Sequence, residues 1–354
     1  MKIGLTYDLR DDYLALGWHE LDVAEFDRAD TITAIAEALA ALGHEPVRVG
    51  GVRALVAALA RGERWDAVWN IAEGTGRFGR EAAIPALLEE YGIPVLLADP
   101  LNAALTLHKG YTKRVLRDRG VPTTGFCEVR DEGDVAGVDL GYPVFLKPVA
   151  EGSSKGVATN SRARNAAELL ATARELLARY QQPVLVEPYL PGREFTVGVI
   201  GDGPRTEALG ALEVVLLDAK DDGIYTYDSK EECEVVVEYR LATDALALEA
   251  CALARRAWIA LDCRDAGRVD VRADAGGALM VLEVNPLPGM HPEHSDLPIL
   301  ASKLGLSYLE LMRRIVGHGL ARIAREPLPQ RGPAAPPKAE RGAAPKDAGA
   351  PCTS

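Results

Sequence analysis

From about residue 121 the periodicity of this chain changes, and that switch limits the fold more than any single residue does. Before it, apolar runs at strand spacing alternate with helical ones. Residues 2–7, 45–49, 65–72 and 93–98 read as strands, and 30–43, 52–60 and 81–91 read as helices, with Asp30 placed to cap and Gly43 and Gly92 to stop. Strands separated by helices of this length form β-α-β units and hence a parallel sheet covered on both faces. A helix then runs from its N-cap Asp99 and Pro100 through His108, Lys109 and Lys113 to Gly120. Short strands follow (142–149, 183–189, 194–200, 209–216, 233–239) around one helix, 165–180. A second long helix, 243–261, precedes a hairpin of 267–272 and 278–285. Runs of strands with segregated helices predict α+β lobes rather than a continued parallel sheet. The expected division is an α/β lobe over 1–100, α+β lobes over 101–184 and 185–326, and a tail over 327–354. The tail holds seven Pro and seven Ala with no apolar period, so it buries too little surface to order and is predicted to be disordered.

Charge and cysteine usage remove several function classes. Lys and Arg total 40 against 52 Asp and Glu, a net charge of −12, which repels a polyphosphate backbone and makes nucleic acid an unsuitable main partner. No stretch approaches the roughly 18 uninterrupted apolar residues of a membrane span, and MKIGLTYD reads as a strand rather than a leader, so the expected location is the cytoplasm. Five cysteines without a C-x-x-C pair argue against a disulfide framework and a zinc site, and Pro292 separates His291 from His294.

Three local patterns carry chemistry. The run Lys147-Pro148-Val149-Ala150-Glu151-Gly152-Ser153-Ser154-Lys155-Gly156-Val157 ends a strand in a lysine and continues as a Gly/Ser loop. Its amides and hydroxyls can donate to phosphate oxygens, although no G-K-[ST] opens a helix as in a P-loop, and many such loops are plain turns. In the hairpin, Arg268, Asp270, Glu283 and Asn285 alternate with Val and Leu, which puts the polar side chains on one face of each strand. If the turn has an even number of residues, those faces coincide. Two carboxylates and an amide oxygen then converge as hard ligands suited to Mg²⁺; a half-exposed hairpin with ordinary surface charges would look the same. In the third pattern, Glu187-Pro188-Tyr189-Leu190-Pro191-Gly192-Arg193-Glu194, a strand breaks at a proline-bounded hinge whose backbone can pair with an adenine edge, and Glu194 can accept ribose hydroxyls.

Together these patterns resemble the ATP-grasp enzymes, and specifically the D-alanine–D-alanine ligase family, over about residues 1–320. The resemblance implies a Rossmann-like parallel-sheet lobe followed by two α+β lobes that clamp ATP. It implies that Lys147, Lys109 (in L-H-K-G-Y-T-K) and Lys230 (in Y-T-Y-D-S-K) hold the phosphates, with Glu151, Ser153 and Ser154 beside them. The hinge and ribose positions fall on Glu187, Tyr189, Leu190 and Glu194, and the ligands of two Mg²⁺ ions on Asp270, Glu283 and Asn285. Arg268 takes the oxyanion role, with Ser153 and Lys230 as further catalytic groups. Gly289 and Ser295 fall where the family binds its acceptor amino acid, and Glu25 or Asp27 stands roughly where a glutamate anchors the first substrate's amine.

The substrate half departs from the family pattern. Where family members carry His-Gly after the third strand, this chain reads Asn70-Ile71-Ala72-Glu73-Gly74; Glu231 follows the loop lysine in place of Tyr, and Asp296 replaces an apolar residue after Ser295. Glu73, Arg77, Arg80 and Asp296 are therefore candidate substrate contacts, and an added acid favours a cationic or amine-bearing partner. Asp8, Asp11 and Asp12 read as a solvated loop or part of an acceptor lid. The implied reaction is an ADP-forming amide or peptide synthesis through an acyl phosphate, by a homodimer acting on small molecules. A true D-alanine–D-alanine ligase and a non-catalytic ATP-binding regulator are the competing readings.

Overall fold

The structure is a computed structural model and describes residues 1–216 and 237–328. Four parallel strands, β1 (Lys2–Thr6), β2 (Glu45–Arg48), β3 (Ala67–Asn70) and β4 (Val95–Leu96), form the first sheet in the order β2-β1-β3-β4. Their connections include α1 (Arg10–Ala15), α2 (Ala29–Ala41), α3 (Val52–Ala60) and α4 (Ala83–Glu90). Ile32, Ile35 and Leu39, three or four apart, bury one face of α2. Asp30 lies inside its first turn instead of capping it, because Arg28 is the N-cap. The 8–12 segment is not a solvated loop: Asp8 is buried, accepting from the Tyr13 hydroxyl at 2.7 Å and the Gly74 amide at 2.9 Å, while Asp11 and Asp12 sit on α1.

The helix expected as one piece over 100–120 is two, α5 (Pro100–Leu107) and α6 (Lys109–Asp118). His108 is extended (φ −89°, ψ 90°), ends α5 and caps α6 by accepting from the Tyr111 amide, while the Lys109 amide leaves the helical ladder to donate to the Val149 carbonyl at 2.9 Å. The break therefore fastens Lys109 to the end of the lysine strand.

Two antiparallel sheets follow. One contains β5 (Cys127–Val129), β6 (Val144–Pro148), β7 (Arg162–Ala163) and β8 (Val184–Pro188) in the order β5-β8-β6-β7, covered by α7 (Ala166–Tyr180). The other contains β9 (Glu194–Ile200), β10 (Glu207–Leu216), β11 (Val237–Ala242), β12 (Ala266–Ala273) and β13 (Leu279–Asn285) in the order β11-β10-β9-β12-β13. It is backed by α8 (Ala245–Ala260), whose Trp258 is fully buried, and α9 (Asp296–Lys303) and α10 (Tyr308–Arg325) follow as the last elements among the described residues. The largest apolar core joins β1, β3 and α2 to Ile200, Ala266, Leu297 and Ile315, whereas the four-stranded antiparallel sheet has its own core around Leu146, Leu169 and Val186. Most of the tail, from residue 329, lies outside the described residues, and among those described no helix is long and apolar enough to cross a membrane.

Candidate active site

The hairpin register decides whether its polar groups meet. In the β12–β13 pair Arg268 stands opposite Asn285 and Asp270 opposite Glu283, so the polar faces coincide. A bulge then sets Val271 against Val281, leaving Leu282 as the extra residue, and Leu282 lines the cleft beside Glu283. That cleft is a cavity of about 120 Å³ between the two antiparallel sheets, with Lys147 and Glu187 on one wall and Arg268, Asp270 and Glu283 on the other. Tyr189, Leu190 and Glu194, the residues of the proline-bounded segment, also line it.

Lysines and carboxylates alternate along these walls. The Lys109 ammonium donates to the Glu151 carbonyl at 2.5 Å and lies 3.5 Å from Glu283. Lys147 lies 3.2 Å from Glu187, whose other oxygen meets Lys113 at 2.6 Å. Glu151 is held by Lys155 at 2.8 Å and by the Gln182 amide at 2.6 Å. The Glu194 carboxylate pairs with Arg272 at 2.8 Å, which also lies over the Tyr189 ring. Arg268 bonds Asp270 and reaches Glu283 at 3.7 Å and Asp296 at 3.5 Å, and the Thr196 hydroxyl donates to Asp270 at 2.9 Å. Burial pushes the Asp270 carboxyl up, Arg268 opposes it, and neighbouring Glu283 and Asp296 help carry it to about 7. Burial also opposes ionisation of Glu283, but Lys109, Arg268 and Lys147 outweigh it and hold this carboxyl well below the usual range.

These oxygens fit a hard divalent cation. Asp270, Glu283 and the Asn285 amide give three hard oxygen donors, too few to enclose an ion by themselves. An ion bound there would keep positions for water or phosphate, which is how Mg²⁺ is usually held. The Asn285 side-chain oxygen also accepts from the Leu287 amide at 2.9 Å, which fixes its orientation.

A second cavity, about 60 Å³, shares Lys109, Glu151, Arg268 and Glu283 with the first. Its far wall holds Glu25, Glu73 and Glu81, and Gly152 and Ser153 form its rim. Arg80 donates to Glu25 at 2.9 Å and to the Ala150 carbonyl at 2.9 Å, and the Gly152 amide also donates to Glu25. Burial raises Glu25, yet Arg80, Lys155 and these hydrogen bonds bring it below its ordinary value.

Most expected residues are thus brought together: Lys109, Lys147, Glu151, Ser154, Glu187, Tyr189, Leu190, Glu194, Arg268, Asp270, Glu283 and Asp296 line the first cavity, and Glu25, Glu73, Ser153 and Asn285 the second. Arg77 is not among them. It is exposed and donates to the Gln181 carbonyl at 2.7 Å, because the 74–80 loop turns it outward and Arg80 inward. Gly289 and Ser295 line neither cavity; they abut each other, and Ser295 accepts from the His291 amide. Lys230 and Glu231, with the loop around them, lie outside the described residues. Lys113, Thr124, Glu81 and Arg272 were not anticipated as parts of this site. Lys113 carried a usable signal: it follows Lys109 by four residues and precedes Leu116 by three, on the buried face of α6.

Comparisons with known proteins bear on the family and the fold. The family description "D-ala D-ala ligase C-terminus" matches residues 115–317. The D-alanine–D-alanine ligase of Marinobacter nauticus is 37% identical over 252 residues, 70% of this chain and 73% of that protein. Among solved structures, the VanG D-Ala:D-Ser ligase from Enterococcus faecalis aligns with a TM-score of 0.69 at 20% identity, covering 90% of this chain and 99% of the other. The D-alanine–D-alanine ligase from Bacillus anthracis complexed with ATP aligns at 0.67 and 20% identity, covering 92% and 99%. At that identity the structures speak for the fold, which is ATP-grasp.

Proposed function

We propose how the cleft works from one premise: this chain belongs to the D-alanine–D-alanine ligase family and is an ATP-dependent, ADP-forming ligase. The first cavity takes ATP, its adenine against the Tyr189–Leu190 hinge, its ribose at Glu194 and its phosphates toward Lys147, Lys109 and the Ser153–Ser154 loop. Mg²⁺ at Asp270, Glu283 and Asn285 would supply charge neutralisation for the transferred phosphoryl group. The second cavity holds the carboxylic substrate, whose α-amine faces Glu25. Its carboxylate attacks the γ-phosphorus, ADP leaves, and an amine then displaces phosphate from the acyl phosphate.

The chain's own contribution is positioning and charge. Arg268 lines both cavities, so its guanidinium is placed to stabilise the oxyanion formed when the amine adds. Lys109 spans the same boundary and orients the phosphate at the junction. One observation carries this reading: the direct pairing of Arg268 with Asn285 and Asp270 with Glu283, aimed across the cleft at Lys147 and Lys109.

Asp270→Asn should lower acid- and amine-dependent ADP release by about 10²–10³-fold, with the circular dichroism spectrum unchanged. Undiminished release would overturn the assignment. The relatives' names favour two D-alanines as substrates; Glu73 and Asp296, standing where the family pattern has other residues, favour a different amino acid or acid. A mass-resolved ligation screen over D- and L-amino acids decides between them.

A further inference from the structure

The carboxylates of the second cavity do not all have cations. Glu25 is paired with Arg80, Glu151 with Lys155, and Glu283 with Lys109 and Arg268. Glu73 and Glu81 have neither a hydrogen bond nor an ion pair among the described residues, and both line the cavity. Glu81 is 8% exposed. Arg80 gives them no hydrogen bond, donating instead to Ala150 and Glu25, and its charge, with that of Lys109, only partly offsets the burial of Glu81.

We propose that this chamber selects a small amino acid carrying a second positive charge in addition to its α-amine, with Glu73 and Glu81 facing that second charge. The inference rests on the ligase reading, since it names the acid that the ligase activates. Glu81 is buried and Glu73 half-buried, so a cation between them would complete both carboxylates, whereas a neutral side chain would leave them without a partner. Burial raises both groups, Glu81 to about 8, and a cation beside them would favour their ionised forms. A site whose buried polar groups are completed by one substrate rejects the analogue that lacks the matching group. The cavity is about half the size of the nucleotide cleft, 60 against 120 Å³, which restricts the ligand to a short chain.

The test is calorimetric binding to the full chain with Mg²⁺ and a non-hydrolysable ATP analogue. The probes are 2,4-diaminobutyrate, ornithine and lysine, in both D and L forms, against the near-isosteric norvaline and against alanine. A diamino acid should bind at least about 10-fold tighter than norvaline. In the E73Q/E81Q double variant that ratio should fall to within about twofold of unity, with the affinity for the nucleotide analogue unchanged. Norvaline or alanine binding as tightly as every diamino acid overturns the proposal, as does a preference that survives the double substitution or no diamino acid binding at all. If the variant does not fold, the wild-type ratio decides alone. Phosphate release is read separately: a diamino acid that binds selectively but never supports ADP formation with any amine sinks the ligase reading and leaves the charge preference standing.

Discussion

Glu187 shows how much one side chain is asked to do in this cleft. It accepts from Lys113 through one oxygen and from Lys147 through the other, and the Thr124 hydroxyl donates to the first. Lys147 faces the cavity, whereas Lys113 is 1% exposed and shares its two remaining N–H donors among Thr123, Thr124 and the Val281 carbonyl. Burial alone would raise the Glu187 carboxyl, but the two ammonium groups outweigh it and bring it to about 2. Lys113 is itself drawn down by burial, with Lys147 repelling it and Glu187 pulling the other way. A carboxyl that falls from 4.5 in the unfolded chain to about 2 contributes about 3 kcal/mol. Because the folded value is the lower one, that contribution is complete above pH 4.5 and drains away as pH falls toward 2. Glu187→Gln should therefore cost about 3–5 kcal/mol at pH 7, since it strands a buried ammonium. In urea melts the gap to wild type should narrow between pH 4.5 and 3; a gap that stays constant over that range contradicts the ion-pair account. Lys147 and Glu187 were legible as ends of strand motifs. For Lys113 helical spacing marked the face it shares with Lys109 and Leu116, but not Glu187, the carboxylate on another element that neutralises it.

At the scale of elements, the two features that shape the phosphate end of the cleft are a broken helix and a left-handed loop. Helical periodicity runs unbroken from Pro100 to Gly120, so nothing local announces the break at His108; its cause is long-range, the Lys109 amide donating to Val149 just after β6. The hairpin alternation, by contrast, was readable, and only its bulge at Leu282 escaped, because a bulge changes pairing without changing the alternation before it. In the Gly/Ser loop, Ser153 and Ser154 both lie at positive φ, 47° and 56°, and Gly156 follows at 80°. A Cβ at Gly156 would meet Pro148 Cγ at 2.5 Å and Tyr180 Cε2 at 3.0 Å, so this position requires glycine both for its dihedral and for its space. Gly156→Ala should cost about 1–3 kcal/mol of strain, relieved by shifting the loop away from Lys147. The expected signature is a rise in KM for ATP of about tenfold or more with a small change in Tm. A normal KM combined with a large Tm loss would place the glycine's importance in packing alone.

The whole molecule is tied together at a place far from the cleft. Asp265, just before β12, accepts two bonds from Arg322 of α10, both at 2.7 Å, and one from the Leu97 amide at 2.8 Å, while Arg322 also donates to the Val95 carbonyl at 2.8 Å. Four hydrogen bonds thus join the edge of the first sheet, the hairpin sheet and the last helix, on top of an apolar core the first and last parts share. Pattern along the chain separates those parts because alternation and helical period are local; that they share one core depends on contacts more than a hundred residues apart, and Arg322, three residues from the end of α10, reads as an ordinary basic helix terminus. The four-stranded antiparallel sheet with Lys147 and Glu187 keeps a separate core, so one wall of the cleft has a stability of its own. Asp265→Ala leaves the Arg322 guanidinium buried without its carboxylate and should cost about 3–5 kcal/mol. Under native-state hydrogen exchange, amides of β1, β3, α2, β12 and α10 should lose protection together in this variant, while β6, β8 and α7 keep the wild-type rates. Loss confined to the neighbourhood of Asp265 would mean that the first and last lobes unfold separately, and a uniform loss that includes β6 and β8 would mean that the cleft has no independently stable wall.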